Sequence, residues 1–554
     1  MEENFEIIVI GAGFGGSVAA KLCADAGLKT LILERSENVG DKVISGLTIP
    51  FQGFLFAPAF IRDGNPPFER PADGIVNYII KDIDKGDIEI DDSLKVPKPL
   101  SPIIAFGYNT YCKPFCQWQA KKAVEAGAEL RTSITVMDFI KEDGYIRGIV
   151  TDKGNKIRAK IVLNAEGSQG LLAIKAGVRE KYPPETISLS DTYDYVMPKE
   201  EIDKIFGYSV KMCWGWDEQR ISPPLGYGNG LMVWPYRNSI HFMQDQCLRT
   251  DQKSVPNLSK LFDEYHHNIT SKLSWWKELV APRAKLRARM WEGFEIYVGL
   301  NKKHRRMANH TNGMILIGDA AGLESTELCD GVPAAWYSAE IAAQVAIEAL
   351  KANDVSKEFL KRYDDKIRAH PIIQWSISGR NRYNLRIAQQ EHSLKKLKKY
   401  IHQGWGLGSL AHFTTPFMKL LLVYVKDDPT IITKWIKMYF RYYQNWLHES
   451  YDYSKKKVYK ATASKRVRKK ELKFLSMLRI IDSVMKSMLR IRKLLKILII
   501  PLSNSLNTLM RKGLPIIEPI NSAVIKLLEP ISNKLSNKMI KFVDKANPSI
   551  FYVY

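Results

Sequence analysis

The chain has 554 residues with 45% hydrophobic and 25% charged content, which excludes a small stapled scaffold or a mainly disordered chain and leaves room for two or three folding units. Its charge is uneven: 82 Lys and Arg stand against 59 Asp and Glu, and of the net +23 most falls between Tyr451 and Tyr554, where 23 basic residues meet 6 acidic ones. Six scattered cysteines (Cys23, Cys112, Cys116, Cys213, Cys247, Cys329), no signal-peptide zoning, and apolar runs no longer than Leu420 to Val425 and Ile497 to Leu502 lead us to expect a cytoplasmic protein that does not cross a membrane.

Phe5 to Ile10 is a short apolar run ending in Gly11-Ala12-Gly13-Phe14-Gly15-Gly16; Ser17 to Ala26 has helical spacing, and Leu28 to Leu33 reads as a second strand. Strand, glycine turn, helix and strand form the context that a dinucleotide fingerprint requires. Gly11 permits the tight turn, Gly13 lets the backbone approach a pyrophosphate, and Gly16 allows close helix-to-strand packing, while the helix N-terminus favours negative charge. Glu34 ends the second strand, placed to accept hydrogen bonds from a ribose and to repel the extra phosphate of NADP; the adjoining Arg35 joins it as a cofactor-binding candidate.

Further on, Cys112 and Cys116 stand at i, i+4 on one helix face, either as a thiol pair or, more plainly, as buried packing residues. Leu231 to Trp234 and Ser239 to Met243 are strand-like and Ser259 to Asn268 is helical. His241, His266 and His267 lack ligand spacing, so they are read as structural and no metal site is expected. Met314 to Ile317 is another apolar strand, followed by Gly318-Asp319-Ala320-Ala321-Gly322 and an alanine-rich helical segment from Gly331 to Leu350. In such a turn the Asp can hold a ribityl hydroxyl while backbone amides meet a phosphate. Gln403 to Tyr453 is dense in aromatics, which suits either a membrane interface or a helical cap. Basic runs at Lys455 to Lys457 and Lys465 to Lys470 precede a basic amphipathic helix from about Phe474 to Leu498, and Ile520 to Val543 repeats the style. Such a tail suits a membrane surface better than nucleic acid, and a helical docking arm is a third use.

The two nucleotide motifs together resemble the FAD enzymes of the group containing aromatic hydroxylases, geranylgeranyl reductases and electron-transfer-flavoprotein:quinone oxidoreductases. Several segments resemble the FixC-type branch: Gly40 to Gly46, with Lys42, Ser45 and Gly46, looks like its flavin loop. Lys122 to Leu130 looks like the helix before a strand whose Val136 touches adenine, Asn164-Ala165-Glu166-Gly167-Ser168 like its Ala-Asp-Gly turn with Glu for Asp, and Tyr195 to Ile202 like its strand and acidic helix. The resemblance runs from about Phe5 to Tyr383; it departs where the family has an Arg and this chain has Cys112.

What the resemblance implies is an α/β fold: an FAD-binding, Rossmann-like domain of the glutathione-reductase, hydroxylase-like type over 1–75, 102–184 and 300–395, with an inserted α+β substrate domain over 76–101 and 185–299. A helical C-terminal extension follows, aromatic-rich over 396–453 and basic over 454–554. The cofactor is FAD, held by Gly11, Gly13, Gly16, Glu34, Arg35, Lys42, Ser45, Gly46, Val136, Gly167, Gly318, Asp319, Gly322 and Gly331, with no catalytic residue assigned because a flavin carries the electron chemistry itself. The implied partners are an electron-transfer flavoprotein, a lipophilic quinone at the membrane surface and, since no Cys follows Cys329, a separate ferredoxin-like subunit. Reduction of isoprenoid lipids is the competing activity, disfavoured by Val43-Ile44-Ser45-Gly46 where a reductase has a Pro-Cys-Gly element. A halogenase is disfavoured because Trp214-Gly215-Trp216 continues as Asp217-Glu218; that pair is read as core or pocket-lining aromatics. A flavin-bearing protein without turnover is the remaining alternative.

Overall fold

Phe5 to Ile10 is apolar nearly throughout because the strand it forms, β1 (Glu3–Ile10), is covered on both faces, the usual condition of a strand inside a parallel sheet. The structure is a computed structural model that describes residues 3–41, 45–50, 53, 57–72, 74–82, 84–85, 87–91, 107–181, 187–207, 209–215, 226–248, 258–295, 308–323, 331–370 and 373, all within one unit, Met1–Leu420. Lys42, Trp216, the aromatic-rich region and the basic tail lie outside them.

After β1 come α1 (Phe14–Asp25) and β2 (Thr30–Leu33), then β3 (Gly46–Pro50), α2 (Ala59–Asp63), β4 (Arg70–Ala72), β5 (Gly74–Asp82), β6 (Asp87–Asp91) and β7 (Gly107–Tyr111). Next are α3 (Cys112–Glu125), β8 (Glu129–Arg131), β9 (Val136–Glu142), β10 (Tyr145–Thr151), β11 (Lys156–Asn164) and α4 (Leu171–Lys175). The segment Lys122 to Leu130, expected as a helix, is only the last turn of α3, a reversal and β8: Gly127 adopts φ +104°, where an L-residue is strained, and the chain leaves the helix there.

The middle of the chain supplies β12 (Ile187–Val196), α5 (Lys199–Ile205), β13 (Ser209–Gly215), β14 (Gly226–Pro235), β15 (Ser239–Leu248), α6 (Leu258–Lys272) and β16 (Lys285–Glu295). The last part returns with β17 (His310–Thr311), β18 (Met314–Leu316), a 3-10 turn over Gly318–Ala321, α7 (Val332–Ala352) and α8 (Lys357–Ala369).

Three sheets result. The first has eight strands in the order β17-β18-β11-β1-β2-β8, with the β9–β10 hairpin joined through β11; β18, β11, β1, β2 and β8 are parallel. Its strand ends place the two glycine turns side by side, since β1 pairs with β11 and β11 with β18. A three-stranded sheet, β3-β7-β4, follows the loop after Gly40. The third sheet, β16-β12-β15-β14-β13-β5-β6, is antiparallel except at β13–β5.

Register sorts the third sheet's side chains. Tyr193 faces Phe242, Phe242 faces Val233 and Tyr195 faces Ile240, and these aromatics pack against α5, α6 and the turn Trp275–Val280 as one buried cluster. Residues one position away point to the opposite face. That face carries Met232, Trp234, His241, Met243, Thr192, Asp194 and Glu292, and it is turned toward the cavity described next.

Candidate functional site

The first turn is shaped by missing side chains. Gly11 has φ +90°, and a Cβ on it would stand 2.5 Å from the carbonyl oxygen of Ala165; a Cβ on Gly16 would stand 1.9 Å from the carbonyl of Gly11. The strand end, the turn and α1 therefore meet backbone to backbone. A Cβ on Gly13, by contrast, would meet nothing within 4 Å, because Gly13 borders a cavity of about 410 Å³.

The cavity is lined at one end by Glu34, Arg35, Ile134, Val136, Met137, Leu171 and Lys175, runs past Gly11, Gly13, Gly167, Gly318, Asp319 and Gly331, and reaches Ser45, Gly46, Leu47, Cys112, Val332, Trp234, Met243 and Glu292. Of the sequence-predicted residues, Gly11, Gly13, Glu34, Arg35, Ser45, Gly46, Val136, Gly167, Gly318, Asp319 and Gly331 are brought together on this wall. Gly16 and Gly322 stand behind it, and Lys42 lies outside the described residues.

Bonds fix each part. The Glu34 carboxylate accepts the amide N–H of Ala12 at 2.9 Å and that of Ser36 at 3.0 Å, which aims it across the glycine turn; a carboxylate has lone pairs left for sugar hydroxyls. The amide of Ile134 donates to the Glu34 carbonyl at 3.0 Å, and this holds Val136 beside it. Glu166 accepts from the amides of Leu172 and Ala173 and from the side chain of Asn164, each at 2.8 Å. Its carboxylate thus caps the free N–H groups of α4 and keeps the turn at Gly167 in place.

Sequence reasoning missed Arg179. Its guanidinium donates to the carbonyls of Ser168 at 3.0 Å, Asp319 at 3.3 Å and Ala320 at 3.2 Å, and so ties the Gly167 turn to the Gly318–Ala321 turn. It also missed Glu292, whose carboxylate accepts the Ser45 amide at 3.3 Å and links the third sheet to the loop before β3. An isolated Arg or Glu gives no spacing signal; only the period of two along β16 would have pointed Glu292 inward.

Cys112 lines the cavity and Cys116 does not; burial pushes the Cys116 thiol well above its usual range, so it is held protonated as a packing group. In the third sheet, His241 is buried 3.4 Å from Asp194, whose other partner is the Arg287 guanidinium at 2.7 Å. Burial lowers the His241 pKa, while Asp194 acts in the opposite direction. His266 is likewise neutral, its pKa brought down to about 4 mainly by burial, and bonds the Tyr195 hydroxyl at 2.5 Å. Among the described residues, no cluster of His, Cys, Asp and Glu is arranged to hold a metal, and no helix is long and apolar enough to cross a membrane.

The wall fits FAD: open backbone at Gly13 under a helix start, a carboxylate beyond the second strand, a second turn with Asp319, and a far chamber under a sheet. Residues 6–369 match the sequence model of the family described as FAD dependent oxidoreductase. The chain is 26% identical over 402 residues to the protein FixC of Shigella flexneri, covering 67% of this chain and 83% of that protein. It is 28% identical over 373 residues to digeranylgeranylglycerophospholipid reductase 1 of Methanopyrus kandleri, covering 66% and 86%. In fold it is similar to a geranylgeranyl bacteriochlorophyll reductase-like protein of Thermoplasma acidophilum, with a TM-score of 0.56 at 19% identity over 76% of this chain and 99% of that one.

Proposed function

This chain belongs to the FAD-dependent oxidoreductase family, and on that premise we propose that it is a FixC-like dehydrogenase that takes electrons from an electron-transfer flavoprotein and passes them through FAD to a lipophilic quinone or a separate ferredoxin subunit at a membrane surface. The observation that carries it is the far chamber of the cavity, where Leu47, Val332, Trp234 and Met243 form an apolar wall suited to a lipophilic acceptor. In this reading Gly11, Gly13 and Gly318 present backbone to the pyrophosphate, Glu34 and Val136 receive the adenosine half, Asp319 and Gly331 the ribityl chain, and Ser45 and Gly46 the ring. The bound FAD supplies electron transfer; the protein supplies position, a dry chamber and access. Glu34 and Arg179 orient, the first by facing the ribose and the second by holding two turns in register. The basic segment 454–554 would hold the enzyme at anionic lipid, with each basic residue near the surface contributing about 1 kcal/mol.

The second reading, saturation of isoprenoid double bonds in membrane lipids, is favoured by the same apolar chamber and by the likeness to a digeranylgeranylglycerophospholipid reductase. One experiment separates them. The holoprotein is reduced anaerobically with dithionite, freed of excess reductant, and offered either a short-chain quinone or a geranylgeranyl lipid. Rapid reoxidation by quinone with the lipid inert is the expected result; saturation of the lipid would move the protein to the second reading, and reoxidation by neither would overturn both.

A further inference from the structure

The chamber under the third sheet has apolar walls at Leu47, Val332, Trp234 and Met243, and among its described lining residues the carboxylate is that of Glu292, beside Ser45 and Cys112. Directly opposite Glu292 in the register stands Ser190, and Thr192 and Asp194 follow on the same face of β12. Ser190 and Thr192 are fully buried, and neither hydroxyl has a hydrogen-bond partner among the described residues. Buried hydroxyls normally find partners, so two in line on one face ask for an explanation. The line ends at Asp194, which is bonded to Arg287, and Arg287 is 53% exposed. A strand thus runs from a carboxyl in the cavity, past two hydroxyls, to an ion pair at the surface.

We propose that Glu292 delivers the proton that accompanies electron transfer to an organic acceptor in the chamber, and that Ser190, Thr192 and Asp194 resupply it from solvent. The proposal rests on the oxidoreductase reading above. With FAD bound and in its anionic reduced form, an acceptor such as a quinone would take a hydride from the flavin and a proton from the Glu292 carboxyl; it would leave as the quinol, with the flavin oxidised and Glu292 as carboxylate. A proton then returns along β12. Same-face neighbours on a strand lie roughly 7 Å apart, so one water between successive groups completes the path, and a hydroxyl both donates and accepts. The Ser45 amide bond fixes Glu292 at the mouth of the loop before β3, which places its carboxyl against the chamber.

The test uses the FAD-loaded full chain, reduced anaerobically and mixed with a short-chain quinone or with ferricyanide, which takes single electrons and no proton. In Glu292→Gln the amide oxygen still accepts the Ser45 N–H, so the loop keeps its tie. Quinone reduction is expected to slow roughly a hundredfold, within the range of general acid catalysis, while ferricyanide reduction and the flavin spectrum stay at the wild-type level. Thr192→Val, which removes one hydroxyl and keeps the shape, is expected to slow quinone turnover and leave ferricyanide unchanged. Independently of turnover, the infrared difference between oxidised and reduced protein is expected to hold a carboxylic acid band that Glu292→Gln removes. Wild-type quinone rates in Glu292→Gln, or an unaltered band, would overturn the role of Glu292; wild-type rates in Thr192→Val would overturn the path. Failure with ferricyanide in the wild type would instead count against the oxidoreductase reading itself.

Discussion

At the ends of the parallel sheet the glycine turns open backbone to the cavity at Gly11, Gly13, Gly167 and Gly318, with Gly11 and Gly16 packed against carbonyl oxygens, whereas the third sheet meets the same cavity with side chains alone: Trp234, Met243 and Glu292. The two regions are also held differently. Behind the glycine turns sit continuous apolar strands such as β1. The third sheet buries Asp191 and Gln244 on the face of its aromatic cluster and Asp194 and His241 on the other face. A cofactor common to a family suits backbone that tolerates little change, while the roof over it meets the same space with side chains that can vary.

The sharpest way to break that contrast is Arg289→Met. Asp191 is fully buried and is held by the Arg289 guanidinium through Nε at 2.9 Å and a terminal nitrogen at 2.8 Å, with Gln244 a weaker partner at 3.4 Å. Removing the cation leaves an uncompensated buried carboxylate, which costs about 3 kcal/mol at the low end of such deletions. Arg289 is bonded to Asp191 and Asp263 and lies against the rings of Tyr193 and Trp291, all in the middle of the chain, so chemical denaturation is expected to show a loosened third sheet before flavin is released. Flavin loss with the first loss of structure would show that the two regions unfold as one.

The converse variant is Gly16→Ala. In an exposed helix this exchange gains up to about 1 kcal/mol of propensity. Here the new Cβ would stand 1.9 Å from the Gly11 carbonyl, so β1 and α1 must part, at an overpacking cost of about 2 kcal/mol. Purified protein is expected to carry much less FAD, measured by its absorbance, with far-ultraviolet circular dichroism largely kept. Full flavin occupancy would mean that the turn has slack the distances do not show.

These contrasts explain what was legible. The glycine turns were, because backbone recognition demands absent side chains at fixed spacing in a strand-turn-helix context, and Glu34 and Asp319 followed from their places at strand ends. Arg179 was not, since its partners are backbone carbonyls, two of them about 140 positions along the chain. Nor was Glu292: it shares a face of β16 with Ala288 and Met290, and one carboxylate in an otherwise apolar series does not announce that the face lines a cavity. The helix expected over Lys122 to Leu130 rested on the resemblance to the FixC-type branch, and Gly127 at positive φ ends α3 before it.

The smallest expected effect is on pH dependence. Tyr195 bonds the Nε2 atom of His266 and Tyr193 stacks on the same ring at 3.8 Å, an arrangement that suits a neutral imidazole. Burial, helped by the Arg289 charge, brings the His266 pKa from 6.5 down to about 4. A group with a depressed folded pKa contributes stability above its unfolded value and loses it as pH falls. Above about pH 6.5 both states are neutral and the contribution is whole; between there and about pH 4 the unfolded chain takes a proton that the folded chain refuses. His241, on β15, has the same sign, as has His370 beside Tyr337. His266→Gln isolates one share, because the amide keeps an acceptor for Tyr195 and takes up no proton. The urea midpoint of the wild type is therefore expected to fall more steeply from pH 7 to pH 5 than that of the variant; parallel curves would mean that His266 is already protonated in the folded protein or that its ring opens to water.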